Sequence, residues 1–163
     1  MSGAEKKVQL INEELWSTLI RKAEESPRRR TNFNFHSSDS DLFHRFLNVI
    51  LEGSYIAPHR HITPPKAEHF LVLKGEIAFF IFEEDGQVRE LYRVSEGQGI
   101  DIPEGFWHSL VVLRGPAVCF EAKPGPYHPV SDKHFSPWAP LEGEEGAKEY
   151  LEKLKDIALT NLI

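Results

Sequence analysis

The sequence predicts an all-β protein, a single sandwich or barrel with one helix at each end. Three observations carry this expectation. From Phe43 to about Phe120 the apolar residues follow the spacing of strands, and glycine- or proline-containing breaks interrupt that stretch at regular intervals. Before and after it, apolar residues recur every three or four positions, as on one face of a helix. A length of 163 residues suits one domain, since domains most often run to roughly 100–150 residues.

The first helix is expected over 12–26. Leu15, Trp16, Leu19, Ile20 and Ala23 form its apolar stripe, Asn12 can cap it, and Glu13 and Glu14 suit its first turn. Pro27 ends it, because the residue before a proline avoids helical angles. The segment Arg28 to His36 is polar and basic, and Ser37 to Ser40 is turn material. The barrel is expected over 43–122, with strands near 43–50, 55–61, 68–74, 76–83, 88–94, 99–102, 108–113 and 117–122. Asp85-Gly86 is the strongest hairpin signal among the breaks.

A proline-rich segment over 123–141 is expected to be an ordered loop, since Tyr127, Phe135 and Trp138 need somewhere to pack. A second helix is expected over 144–162, with Tyr150, Leu151, Leu154, Ile157 and Ala158 on one face. The strand Ile77 to Phe82 is apolar on both faces. One face must line the interior, and either a terminal helix or a second subunit must cover the other. A homodimer through Phe80 and Phe82 is the favoured expectation.

Composition narrows the function classes. A formal net charge of −6 gives no electrostatic case for nucleic acid or an anionic membrane. The single cysteine, Cys119, excludes an internal disulfide and lies in an apolar run, where it reads as a small buried hydrophobe. The N-terminal MSGAEKKVQL lacks the apolar stretch of a signal peptide, and no run reaches membrane-spanning length. The expectation is a cytoplasmic protein.

The chemistry centres on Pro58-His59-Arg60-His61. Histidines two apart on a strand point to one face, so both imidazoles can reach a single interior point. Glu68 heads the next strand and shares a face with Phe70 and Val72, where a carboxylate is costly unless it is paired or bound to a cation. His108 opens another strand. Three imidazoles and one carboxylate make a nitrogen–oxygen site for a divalent transition metal, with iron, manganese, nickel and zinc all compatible. His69 lies on the face opposite Glu68 and is excluded as a ligand, while His44, His128 and His134 read as surface residues.

The spacing around these residues resembles the cupin superfamily. Five residues separate Gly53 from His59, and six separate Glu68 from Gly75; Gly97, Pro103-Glu104-Gly105 and His108 repeat the second cupin motif. Two departures stand out: six residues lie between His61 and Glu68, which lengthens a loop beside the site, and Val112 replaces the usual asparagine. The resemblance implies a single jelly-roll barrel, a double-stranded β-helix, holding one metal through His59, His61, Glu68 and His108. A narrower likeness spans roughly residues 14 to 142. Ser26-Pro27-Arg28, Asn32 to His36, Glu121 to Tyr127, Asp132-Lys133 and Trp138-Ala139-Pro140 look like the WbuC-type cupin fold metalloproteins. Those are small bacterial proteins often associated with surface-polysaccharide genes.

A second group of residues is expected at the barrel mouth. Asn32, Asn34 and His36 would line it, with Arg28 meeting an anionic group of a ligand. Tyr127 could close the mouth, and Trp107 could form a wall beside His108. His36 and Tyr127 are the candidates for acid–base work. With an open coordination position, the metal would act as a Lewis acid on an oxygen-rich small molecule. The leading expectation is an isomerase- or epimerase-like enzyme on a sugar or sugar acid. Iron-dependent oxygen chemistry is a second enzymatic possibility, and a binding or sensing cupin without turnover is the rival from another class.

Overall fold

The computed structural model describes residues 7–161. In chain order it contains α1 (Glu13–Glu25), β1 (Arg30–Asn34), β2 (Phe43–Ile50), β3 (His59–Arg60), β4 (Glu68–Phe82), β5 (Val88–Ser95), β6 (Gly99–Ile102), β7 (Trp107–Pro124), β8 (His134–Phe135) and α2 (Ala147–Asn161). The expected position 162 of the second helix, like residues 1–6 of the N-terminal stretch, lies outside the described residues. Asn12 caps α1 as expected, its side-chain oxygen accepting from the Leu15 amide at 3.1 Å.

All strand pairs are antiparallel, and the sheet curls because β4 and β7 each serve two faces of the barrel. The N-terminal half of β4 pairs with β6 and with the C-terminal half of β7, which in turn pairs with β2 and, beyond it, β1. The C-terminal half of β4 pairs with β5 and with the start of β7, followed by β3 and β8. This is a single jelly roll, with five strands or half-strands on each side. The sequence places breaks at Gly75 and at Arg114-Gly115-Pro116, but both strands run on through them. Gly75 makes the β4 bend possible: its φ is +82°, and a Cβ there would stand 2.6 Å from the Pro116 carbonyl oxygen. β1 and β8 are further differences. The edge strand Arg30–Asn34 looks like a polar loop in sequence, because only one of its faces meets the protein.

Three apolar layers follow from the alternation. Ile50, Phe70, Val72, Ile77, Phe79, Ile81, Leu110, Val112 and Cys119 fill the barrel. Burial pushes the Cys119 thiol up to about 12, so it is inert, as its apolar run implies. Leu19 and Ala23 of α1 cover Leu47, Val49 and Val118 on one outer face. On the other outer face, Leu151, Leu154 and Ala158 of α2 cover Ala78, Phe80, Phe82 and Val111.

Phe80 is 0% and Phe82 3% exposed in the single chain, so the apolar face that argued for a homodimer is covered by the chain's own α2 and by Trp138. The physical reason for expecting a second subunit there is gone. Leu154 is the largest side chain of α2 that is fully buried. Leu154→Ala is therefore expected to destabilise the chain by about 2–5 kcal/mol, read from denaturant unfolding. An unchanged midpoint would show that α2 does not dock on the barrel. Among the described residues no helix is long and apolar enough to cross a membrane.

Candidate metal centre

The cluster sits at one end of the barrel interior. The single residue pair joining β3 to β7 is His59 opposite His108, and β4 begins at Glu68, so three strand ends deliver three of the four groups to one place. His61 follows β3 directly. His59, His61, Glu68 and His108 are all buried, and each offers a ligand atom within 4.8 Å of the others.

The second nitrogen of each ring determines what the first can do. Nδ1 of His59 lies 2.9 Å from the Ala57 carbonyl oxygen, and Nδ1 of His108 lies 2.9 Å from that of Phe106. Nδ1 of His61 meets the Asp132 carbonyl oxygen. A carbonyl only accepts, so each Nδ1 carries the proton, and in the neutral ring Nε2 is left as a lone pair aimed into the cluster. Burial, aided by Lys133, holds the His59 imidazole far below its ordinary pKa and therefore neutral.

Nε2 of His61 stands 3.1 Å from one Glu68 oxygen, and Nε2 of His108 stands 2.8 Å from the other. Both nitrogens and Glu68 Oε2 lack a hydrogen-bond partner. Acceptors thus face acceptors in a buried space, which is costly unless a cation lies between them. The donor set fits a divalent transition metal, and the carbonyls behind the rings are the outer partners that fix ligating imidazoles.

A buried ionic group supports this arrangement. Lys66 Nζ donates to Asp132 Oδ1 at 2.6 Å and to the Pro126 carbonyl at 2.6 Å. Lys123 Nζ donates to Asp132 Oδ2 at 3.2 Å and lies 3.5 Å from Glu68. The lengthened loop between His61 and Glu68 therefore has a structural role: it delivers Lys66 to Asp132, the residue whose carbonyl holds His61. On the outer face, the residue between the two histidines is also fixed. The Arg60 guanidinium stacks 4.1 Å from the Trp107 ring and donates to Glu84 at 2.7 Å, while the Trp107 indole donates to the same carboxylate at 3.0 Å.

The cluster opens into a cavity of about 400 Å³. Of the residues expected at the mouth, Arg28, Asn32 and Tyr127 line it. Asn34 does not; it accepts from Asn32 at 3.0 Å beyond the rim. His36 does not reach the cavity either. Its Nδ1 is taken by the Arg45 backbone amide at 3.1 Å and its ring stacks on His44 at 4.0 Å, so it pins the turn between β1 and β2. His44 is buried rather than at the surface. Trp107 is not a cavity wall, because strand alternation turns it to the opposite face from its neighbour His108, under Trp138.

Five charged or amide residues of the cavity were given no site role from sequence: Arg30, Asn48, Glu121, Lys123 and Lys133. The signal for two was present. Cys119, Glu121 and Lys123 alternate onto one face of a strand, so a buried Cys119 implies two charges pointing inward. Burial and the neighbouring Glu68 carboxylate push Glu121 up to about 8. Burial would lower Lys123, but Glu68, Glu121 and Asp132 outweigh it and keep the ammonium charged.

A jelly-roll barrel with three inward histidines and one glutamate at one end is the arrangement that the cupin resemblance of the sequence implies, and its four donors form a candidate metal-binding cluster. More narrowly, the chain belongs to the family described as Domain of unknown function (DUF6016), whose model matches residues 11–94. That span holds His59, His61 and Glu68 and stops before His108. None of the curated proteins matches the chain.

Similar solved structures include oxalate decarboxylase from Bacillus subtilis, at 20% identity and TM-score 0.49 over 59% of this chain and 24% of that one. KdgF from Halomonas sp. shares 16% identity, with TM-score 0.49, over 62% of this chain and 82% of that one. The Cnp3 cupin domain of Schizosaccharomyces pombe shares 13%, with TM-score 0.47, over 60% and 61%. The chain thus spans about a quarter of the oxalate decarboxylase chain.

Proposed function

We propose that this chain is a metal-dependent enzyme acting on a sugar or sugar acid, with isomerisation or epimerisation as the reaction type. We further propose that it groups with the WbuC-type cupin metalloproteins and serves surface-polysaccharide biosynthesis. The observation that carries the reading is one cavity lined both by His59, Glu68 and His108 of the cluster and by the ionisable side chains of Glu121, Lys133 and Tyr127. A divalent metal bound there supplies Lewis acidity toward a carbonyl or hydroxyl oxygen. The chain's own residues do the rest. Asn32 and Asn48 offer amides to hydroxyl groups, and Phe70 and Phe79 close the inner end against water. Glu121 lies beside Glu68 and is placed to give or take a proton at a bound ligand. A pure binding module has no need of such a group, which is what favours catalysis over sensing.

The test is elemental analysis of untagged protein, followed by screening sugar phosphates, nucleotide sugars and sugar acids for turnover. The expected result is a single divalent metal per chain and a substrate whose conversion is lost in Glu121→Gln with metal content unchanged. Metal-free protein would overturn the reading. Metal-loaded protein that binds a sugar without converting it would replace the enzyme with a binding module.

A further inference from the structure

We propose that Arg28 and Arg30 form a carboxylate seat at the mouth of the metal cavity, and that Glu142 fills this seat as a stand-in for the carboxylate of a sugar acid. The proposal rests on the sugar or sugar-acid reading above and narrows it to the acid. Both arginines line the cavity that holds the cluster, and both grip the same carboxylate through two nitrogens. Arg28 donates from Nε at 3.0 Å and from its terminal nitrogen at 2.8 Å. Arg30 donates at 3.0 Å to one Glu142 oxygen and at 2.7 Å to the other. Two planar forks closing on one planar group are the arrangement by which guanidinium recognises a carboxylate. Burial would raise the Glu142 pKa, but hydrogen bonds from the two arginines outweigh it and hold it at about 2, so the group is an anion at all working pH.

The segment bearing Glu142 is a surface turn ahead of α2. Residues 141–145 are exposed, and Gly143 and Gly146, at φ +85° and +86°, have no atom within 4 Å of where a Cβ would stand. Glu142 lies between Pro140, whose carbonyl accepts from Tyr55 at 2.6 Å, and the buried Ala147 that starts α2, so the exposed turn can carry Glu142 outward while both ends stay docked. A ligand carboxylate can therefore take over the forks while its oxygen-rich remainder lies along Asn32 toward the cluster. Such a ligand binds with an apparent affinity reduced by the fraction of time Glu142 vacates the seat.

The experiment is calorimetric titration of D-glucuronate, D-glucose and inorganic phosphate into wild type, Glu142→Gln and Glu142→Gln/Arg30→Met, with metal content measured on each sample. Glu142→Gln is expected to bind glucuronate at least about tenfold more tightly than wild type. Glucose should be unaffected, and the added Arg30→Met should abolish the gain. Glu142→Ala should reproduce it, which guards against a folding defect in one variant. Glucuronate affinity unchanged or weakened in both Glu142 variants overturns the seat, as does a gain confined to phosphate. Metal-free protein that still shows the tenfold gain keeps the seat and removes the metal reading; metal-loaded protein without the gain removes the seat alone.

Discussion

Alanine at His59, His61 or His108 is expected to cost the chain its metal, and Glu68→Gln to weaken binding without removing every donor. The expected loss for each histidine is at least about 100-fold in affinity. Removing an outer partner of a ligand already costs about 10–100-fold, and a ligand itself contributes more. His69, the nearest histidine in sequence, cannot substitute: it is exposed and bonded to Asp101 at 2.9 Å on the other face of β4. Elemental analysis after dialysis and competition with a chelator measure the loss.

A second readout is thermal. Metal at 100 times its dissociation constant stabilises the folded chain by about 2.7 kcal/mol through mass action, and that increment should vanish in the histidine variants. Each variant also loses the bond from its Nδ1 to a backbone carbonyl, so the increment is read as the difference between metal-loaded and metal-free melting points of the same variant. Full occupancy retained in all four variants, with the fold intact, would remove the metal assignment.

The cluster was legible in sequence because its spacing is set by the backbone alone. His59 and His61 share a strand face by alternation, and the glycine and proline positions fix where β4 and β7 start. Charge partners across the fold were not legible. Nothing local ties Asp132 to Lys66 or Lys123, sixty-six and nine residues away, and their meeting depends on a loop closing back over β3.

Two of the expected mouth residues, Trp107 and His36, lie away from the cavity for different reasons. Trp107 follows the same alternation that placed His108, so a strict period of two already turned it outward. His36 fell to a contact no pattern encodes, the stacking on His44 across the β1–β2 turn. The dimer expectation read β4 correctly as apolar on both faces. It favoured a second subunit as the cover of the second face, whereas α2 and Trp138 lie there, because where α2 docks is a question of tertiary packing.

Asp132→Asn is expected to be the most damaging single change outside the ligands. The carboxylate is buried with Lys66 and Lys123 at 2.6 and 3.2 Å, and Lys66 itself is only 4% exposed. An amide of the same size keeps the packing and removes the charge, leaving one ammonium with a carbonyl alone for company. Removing one partner of a buried pair costs about 3–5 kcal/mol, because the stranded charge can neither be solvated nor relax.

The effect should also reach the metal. The Asp132 carbonyl that holds His61 belongs to the loop the two lysines pin, so metal affinity is expected to fall about 10–100-fold although no ligand changes. Lys66→Met separates the two effects. Alone it should destabilise as well, since Asp132 then keeps only the longer bond to Lys123. Combined with Asp132→Asn it removes the stranded ammonium and should restore part of the stability. A double-mutant cycle from denaturant unfolding measures that coupling, and additive losses would show that the pair is not the unit holding His61 in place.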